Sequence, residues 1–253
     1  MNKNRIFVHL PFSKLDRYMP DLERVKIQPE VYFSGNDLDN LDEEKLDRLA
    51  GYLKKENLSC TIHAPFYDLA IGSPDALIRD AVEKRYRSLI PVIEKLRPVC
   101  MVIHTGYDRW RYGSQRDLWL SNATNFLIKL REMFPEDTKI AVENVFDEGP
   151  DVLYEIMNRL GPVRNLGICL DIGHFNLFSK APLDEWLERL GDKIMELHIH
   201  DNDGREDRHW KPGKGHAPVF KLIRWAKTKD ILMTIEVHEP KDALETHRML
   251  LEI

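Results

Sequence analysis

The chain of 253 residues has little cysteine: Cys60, Cys100 and Cys169 only. An odd number, each inside an apolar segment, speaks against a disulfide framework and predicts buried free thiols in a reducing cytoplasm. No CxxC pair is present, so a thiolate zinc site of that spacing is excluded. No stretch reaches the roughly 18 apolar residues of a membrane span. The opening MNKNRIFVHLPF lacks the apolar run of a signal peptide. No GxGxxG turn follows a strand-like run, which removes the usual fingerprint of an open dinucleotide-binding sheet. Positive charge is not in excess: 37 Lys and Arg face 42 Asp and Glu, a net −5. No bulk positive field therefore draws in nucleic acid or an anionic membrane. Linkers, low-complexity tracts and sequence repeats are missing too, so residues 1–253 read as a single domain.

What is present is a regular alternation. The β-rich runs are RIFVHL from Arg5, EVYF from Glu30, LSCTIH from Leu58, VCMVIH from Val99, TKIAVE from Thr138, LGICLD from Leu166, IMELHIH from Ile194 and ILMTIEV from Ile231. Several are continuously apolar, as parallel strands covered on both faces are. Between them, helical spacing runs over 42–56 and onward from Pro74 (broken at Pro91), Ser114, Pro150, Pro182, Ala217 and Asp242. A further segment near 14–24 is interrupted by Pro20. Ser73 is expected to cap the helix at Pro74, and Gly161 and Gly191 to end helices in the left-handed conformation. Eight strand–helix units in this length predict an α/β fold: a single (β/α)8 TIM barrel rather than an open sheet.

The functional signal lies in where the polar residues fall. Strand three ends at His63, strand four at His104, strand five at Glu143, strand six at Asp171 and strand eight at or near Glu236. Strand seven carries His198 and His200 toward its end. Barrel active sites are built at the C-terminal mouth from these strand ends and the loops after them. One histidine there is ordinarily a satisfied buried side chain. Six successive strands each delivering His, Asp or Glu would leave costly buried charges unless something binds them. These are the residue types that bind zinc, manganese or iron, so the pattern predicts a divalent-metal site. His174, three residues after Asp171 in LDIGH, can converge on the same centre. Asp207 and His209, two apart, share a face of an extended segment.

The ordered motifs HAPF, IHTG, VEN, LDIGH, HIHDNDG, DRH, GKG and IEV resemble the xylose-isomerase-like barrels, which include sugar isomerases, epimerases and endonuclease IV. The resemblance covers nearly the whole chain. Its isomerase branch implies one divalent metal, zinc or manganese, held by Glu143, Asp171, His198 and Glu236. Its endonuclease IV branch implies three zinc ions, with His63, His104, His174, Asp207 and His209 as additional ligands. All of these types are present, so the ligand set alone does not choose the reaction.

The isomerase or epimerase reading expects a sugar or sugar phosphate as substrate, with proton transfer through an enediolate. Glu143 and Glu236 would be the paired bases, and His174 would hold a substrate oxygen. His200, Lys211, Lys214, Trp210 and Phe66 are candidates for substrate contact, the lysines toward a phosphate or carboxylate. The alternative is an endonuclease IV-like phosphodiester hydrolase (AP endonuclease), with Phe66 and Tyr67 wedging into a base stack and Arg109, Arg111 and Arg116 on phosphates. Trp110, Tyr112, Trp119 and Trp210 are candidates to cover the pocket or form a homo-oligomer interface.

Overall fold

A computed structural model of the chain describes residues 5–252. Met1–Asn4 and Ile253, the last residue of the helix predicted from Asp242, lie outside the described residues. Eight strands are present: β1 (Ile6–Pro11), β2 (Gln28–Tyr32), β3 (Thr61–His63), β4 (Cys100–His104), β5 (Lys139–Glu143), β6 (Leu166–Asp171), β7 (Ile194–Ile199) and β8 (Leu232–Ile235). They close in sequence order, every pair parallel, and β8 returns onto β1 through Ile6 opposite Met233 and Phe7 opposite Thr234. This is the expected closed (β/α)8 barrel.

The helices wrap the outside. They are α1 (Leu15–Val25), α2 (Gly35–Asp39), α3 (Glu43–Glu56), α4 (Ala76–Arg87), α5 (Ile90–Leu96), α6 (Arg109–Tyr112), α7 (Arg116–Met133), α8 (Asp151–Leu160), α9 (Ile172–Phe178), α10 (Leu183–Leu190), α11 (Val219–Ala226) and α12 (Pro240–Glu252). Outward-facing strand residues such as Val31, Ile62, Met101, Ile103, Ile140, Leu170 and Leu197 pack against them in one large core. Among the described residues, no helix is long and apolar enough to cross a membrane.

Alternation along each strand sends the other set of side chains to the barrel axis. Phe7, Cys100, Val102, Ala141, Cys169 and Leu232 form a small apolar cluster there. Glu30, Thr61, Glu196 and Thr234 form a buried polar group. Two residues further along their strands come His63, His104, Glu143, Asp171, His198 and Glu236. The apolar cluster and the polar group close the barrel below them.

Three local expectations are corrected. Ser73 does not cap α4: Asp75 does, its carboxylate accepting from the Leu77 N–H at 2.8 Å. A residue preceding proline is pushed to extended backbone, so the helix begins beyond Ser73-Pro74. Gly191 is not left-handed (φ −52°), and α10 runs on into a 3-10 turn that leads to β7. Glycine suits that position because a Cβ would sit 3.1 Å from the Trp225 ring. Gly161, by contrast, has φ +64°. Finally, Pro20 lies inside α1 rather than ending it.

Candidate metal centre

Glu143, at the end of β5, is the hub. His63 Nε2 and His104 Nε2 approach its Oε2 at 3.2 and 3.0 Å. His174 Nδ1 and His198 Nδ1 approach its Oε1 at 3.0 and 3.5 Å. His198 Nδ1 is also 3.7 Å from Asp171 Oδ2 and 3.5 Å from Glu236 Oε1. A second group adjoins it: Asp207 Oδ2 lies 3.0 Å from His209 Nε2 and 3.4 Å from His174 Nε2.

Backbone chemistry explains these placements. Asn144, in the VEN motif, accepts from the Asp171 N–H at 2.8 Å and donates to the Asp171 carbonyl at 3.0 Å, locking β6 at its end. Asp171 then caps α9 by accepting from the His174 N–H, which turns the imidazole back over the mouth. In the β7–α11 loop, the buried Asp201 carboxylate accepts four backbone N–H groups. These come from Asn202 at 2.8 Å and from Gly213, Gly215 and Ala217 at 2.9 Å each. Asp201 also exchanges two 2.8 Å backbone hydrogen bonds with Trp210. Gly215 approaches so closely that a Cβ would meet the Asn202 carbonyl at 2.2 Å. The clamp holds Asp207 and His209 over the barrel; His209 sits there at φ +47°, not in extended backbone.

Hydrogen bonds also set the tautomers. The Nδ1–H groups of His63 and His209 donate to the carbonyls of Ala64 (2.9 Å) and Glu236 (2.6 Å). Each Nε2 then faces the centre, against Glu143 Oε2 (3.2 Å) for His63 and Asp207 Oδ2 (3.0 Å) for His209, the arrangement that orients imidazoles toward a metal. His200 donates from Nε2 to Asp171 at 2.9 Å, leaving Nδ1 bare. His104 Nε2, Glu143 Oε1, both nitrogens of His198 and His200 Nδ1 are buried without a hydrogen-bonding partner. Lone pairs that converge without satisfying one another are what a divalent cation would resolve, so the donor set fits one. Several of the His and carboxylate groups present donor atoms within 4.8 Å of one another, including His63–His104–Glu143, His63–His198–Glu236 and His200–Asp207–His209.

The electrostatics agree. Burial alone would raise the Glu143 and Glu236 carboxyls. The imidazoles of His104 and His198 around the first, and of His198 and His9 around the second, overcome it and hold both well below the carboxylate range. Burial would lower His174, but Asp171, Asp207 and Glu143 carry it well above its ordinary value. The carboxylates demand positive charge, which protons on imidazoles supply here and a cation would supply in their place.

Three residues belonging to this network, the half-buried His9 and the buried Glu30 and Glu196, were not singled out in the sequence. His9 Nδ1 stands 3.1 Å from both Glu30 Oε1 and Glu236 Oε1. Glu30 Oε2 takes the hydroxyls of Thr61 (3.2 Å) and Thr234 (3.3 Å) and lies 3.5 Å from His198 Nε2. Glu196 is pushed up to about 8 by burial and by Glu30, so near neutrality it carries its proton. The strand-position rule that found the others applies to His9 as well, since it stands near the end of RIFVHL.

The cavity above the centre measures about 960 Å³, with Tyr32, Phe66, Tyr67, Tyr107, Phe146 and Phe178 among its walls. Phe66 lies on His104, ring centroids 4.4 Å apart. His200 lies beneath His209 in a parallel stack at 4.0 Å and does not line the cavity. Trp210, Lys211 and Lys214 do not line it either. Lys211 pairs with Glu245 (2.7 Å) and Asp242 (3.3 Å) on α12, and Lys214 sits over the Trp210 ring at 5.3 Å. Arg109 and Arg116 pair with Glu148 and Glu155. Among the described residues lining the cavity, Arg111 is the one Lys or Arg, against Asp68 and Asp108 near it. Trp119 is a core residue and Trp110 is exposed, whereas the buried Tyr112 lines the cavity.

Fold and donor set together define a closed (β/α)8 barrel with a histidine–carboxylate centre at its C-terminal mouth. Residues 29–253 match the family described as xylose isomerase-like TIM barrel. The protein MJ1311 of Methanocaldococcus jannaschii is 30% identical over 203 residues, 76% of this chain and 68% of that one. The chain belongs to the xylose isomerase-like TIM barrel family. A fructoselysine 3-epimerase of Escherichia coli O157:H7 is 36% identical over 81 residues, 28% of this chain and 30% of that one. Among solved structures, a D-tagatose 3-epimerase-like protein has a TM-score of 0.83 at 25% identity, covering 98% of this chain and 96% of that one. Endonuclease IV from Thermus thermophilus shares the fold, with a TM-score of 0.71 at 17% identity over 98% and 99% of the two chains.

Proposed function

We propose that the protein is a divalent-metal-dependent isomerase or epimerase acting on a sugar or sugar phosphate. One observation carries the reading. Glu143 and Glu236, both held ionised, approach the same imidazole nitrogen of His198 at 3.5 Å and both line one aromatic-walled cavity. A site that only bound a sugar would not need two opposed bases at its floor. Glu143, Asp171, His198 and Glu236 would hold the cation, zinc or manganese. The bound cation supplies Lewis acidity toward adjacent carbonyl and hydroxyl oxygens of an open-chain sugar. The chain's own residues do the rest. One glutamate removes the proton α to the carbonyl and the other returns it, or one does both. His9, 3.1 Å from Glu236, neutralises that carboxylate between turnovers. His174 holds a substrate oxygen, and Phe66 with Tyr32 keeps water from the reacting carbon.

A second reading, phosphodiester hydrolysis of the endonuclease IV kind, is favoured by one observation. Imidazoles crowd both oxygens of Glu143, and Asp207 with His209 forms an adjoining group, as three zinc ions would use. The cavity wall argues against it, since Asp68 and Asp108 near the lone Arg111 repel a polyanion.

The test combines metal content by elemental analysis with proton exchange into ketoses, aldoses and their phosphates in deuterated water. One bound manganese or zinc with α-carbon exchange is expected. Glu143→Gln and Glu236→Gln should each slow exchange at least about 10²-fold. Three zincs and cleavage of an abasic-site DNA, without exchange, would replace this reading by the second.

A further inference from the structure

A second cavity of about 400 Å³ lies between α1 and α12 and shares His9, Pro11, Glu236 and His238 with the cavity over the metal centre. Both spaces are therefore bounded by the carboxylate read above as one of the bases. Their walls differ in chemistry. Beyond the shared residues, the side cavity is faced by Val8, Leu10, Leu22, Val237, Ala243 and Leu244, while its charged side chains are Lys14 and Asp21. Its remaining polar side chain is Tyr18, and Asp21 is bound to Arg24 at 2.7 Å, so the wall is predominantly apolar. An apolar cavity of roughly 150 Å³ already takes a benzene ring, so the space here is ample for a short alkyl chain or an aromatic ring.

We propose that this side cavity is a binding subsite for an apolar substituent carried by the sugar, an alkyl or aryl group of about the size of a hexyl chain. The polyol part would lie over the metal centre and its substituent would leave past Glu236 and His238 into the cleft between α1 and α12. The inference rests on the reading of the main cavity as a sugar site. It sharpens that reading: the preferred substrate is a substituted sugar rather than a free one. An unsubstituted sugar leaves the apolar wall wet and forgoes the gain from covering it.

The probes are N-alkyl-D-glucamines, open-chain polyols with tails from methyl to octyl, titrated calorimetrically into the zinc-loaded and the zinc-stripped protein. Affinity should rise about fourfold per methylene as far as hexyl, the equivalent of full burial of each CH₂, and level off where the chain reaches solvent beside Lys14. Ala243→Phe, which fills the cavity, should abolish this dependence and leave the methyl compound's affinity unchanged. Leu244→Trp from the neighbouring position should do the same, and thermal melts identify a variant that has simply lost its fold. Chain-length independence in the wild type overturns the subsite, as does a dependence that survives both fillings. Zinc dependence of the methyl compound reads the sugar site separately. If the tail series holds but the polyol binds equally without zinc, the subsite stands and the sugar reading falls. If no member of the series binds, both are refuted.

Discussion

Replacing Asp201 is the sharpest test of how the second half of the donor set is held. Its buried carboxylate accepts four N–H groups at 2.8–2.9 Å, three of them from residues 213–217, the far end of the loop that carries Asp207 and His209. A hydrogen bond to a charged group contributes about 1.5–3 kcal/mol net. Four on one carboxylate do not add independently, and a freed loop regains water for part of its backbone. Asp201→Ala should therefore cost about 4 kcal/mol, at the upper end for a single substitution. Asp201→Asn keeps one acceptor oxygen and turns an NH₂ against two donors, so about 2–3 kcal/mol is expected. Urea unfolding with a common slope measures the loss. Hydrogen exchange over residues 201–217 tells whether the loop opens locally first, which would accelerate exchange there before the global midpoint moves. Under the three-zinc reading, affinity for the additional ions should fall with it, because Asp207 and His209 lose their anchor. An Asp201→Ala protein within about 1 kcal/mol of the parent and with unchanged exchange at Gly213, Gly215 and Ala217 would refute the clamp.

Gly173→Ala should lower stability by at least about 2 kcal/mol although alanine is the better helix former, because the added Cβ would fall 1.9 Å from His200 Cε1; a thermal midpoint at or above the parent's would contradict this. Zinc or manganese at a hundredfold excess over its Kd should stabilise the protein by about 2.7 kcal/mol, reversed by chelation, and no shift in melting temperature with either ion would count against a divalent site. None of the three thiols should react with a disulfide reagent in the native state, since all are buried and burial pushes Cys60 up to about 12 and Cys100 and Cys169 well above the ordinary thiol; labelling of one before unfolding would show that a strand opens.

The barrel and its rim were legible because both follow local rules. A strand that ends in His63 or Glu143 delivers that side chain to the mouth whatever its neighbours do. Glu30 escaped because its meaning comes from closure: it lies opposite His9 in the β1–β2 register, and only the ring turns it toward the Thr61 and Thr234 hydroxyls and His198. Glu196 sits within an apolar strand, where its depth depends on register. Lys211 and Lys214 failed in the opposite direction. Their glycine-rich setting suggested an anion site, but the glycines are there to let the backbone reach Asp201, and Lys211 is taken by carboxylates of a helix distant in sequence.

The pairing of β8 with β1 has a consequence for the order of events during synthesis. His9 is made 227 residues before Glu236, yet they meet at 3.1 Å across the seam of the ring. A nascent chain already holds His63, His104, Glu143, Asp171 and His198 while this seam is open and Glu236 is still to come. Metal captured then would meet an incomplete coordination shell and could leave again. At the proposed site tight loading would wait for the last strand, so a bound ion would report that the ring has closed, and a chain truncated before β8 should fail to retain it.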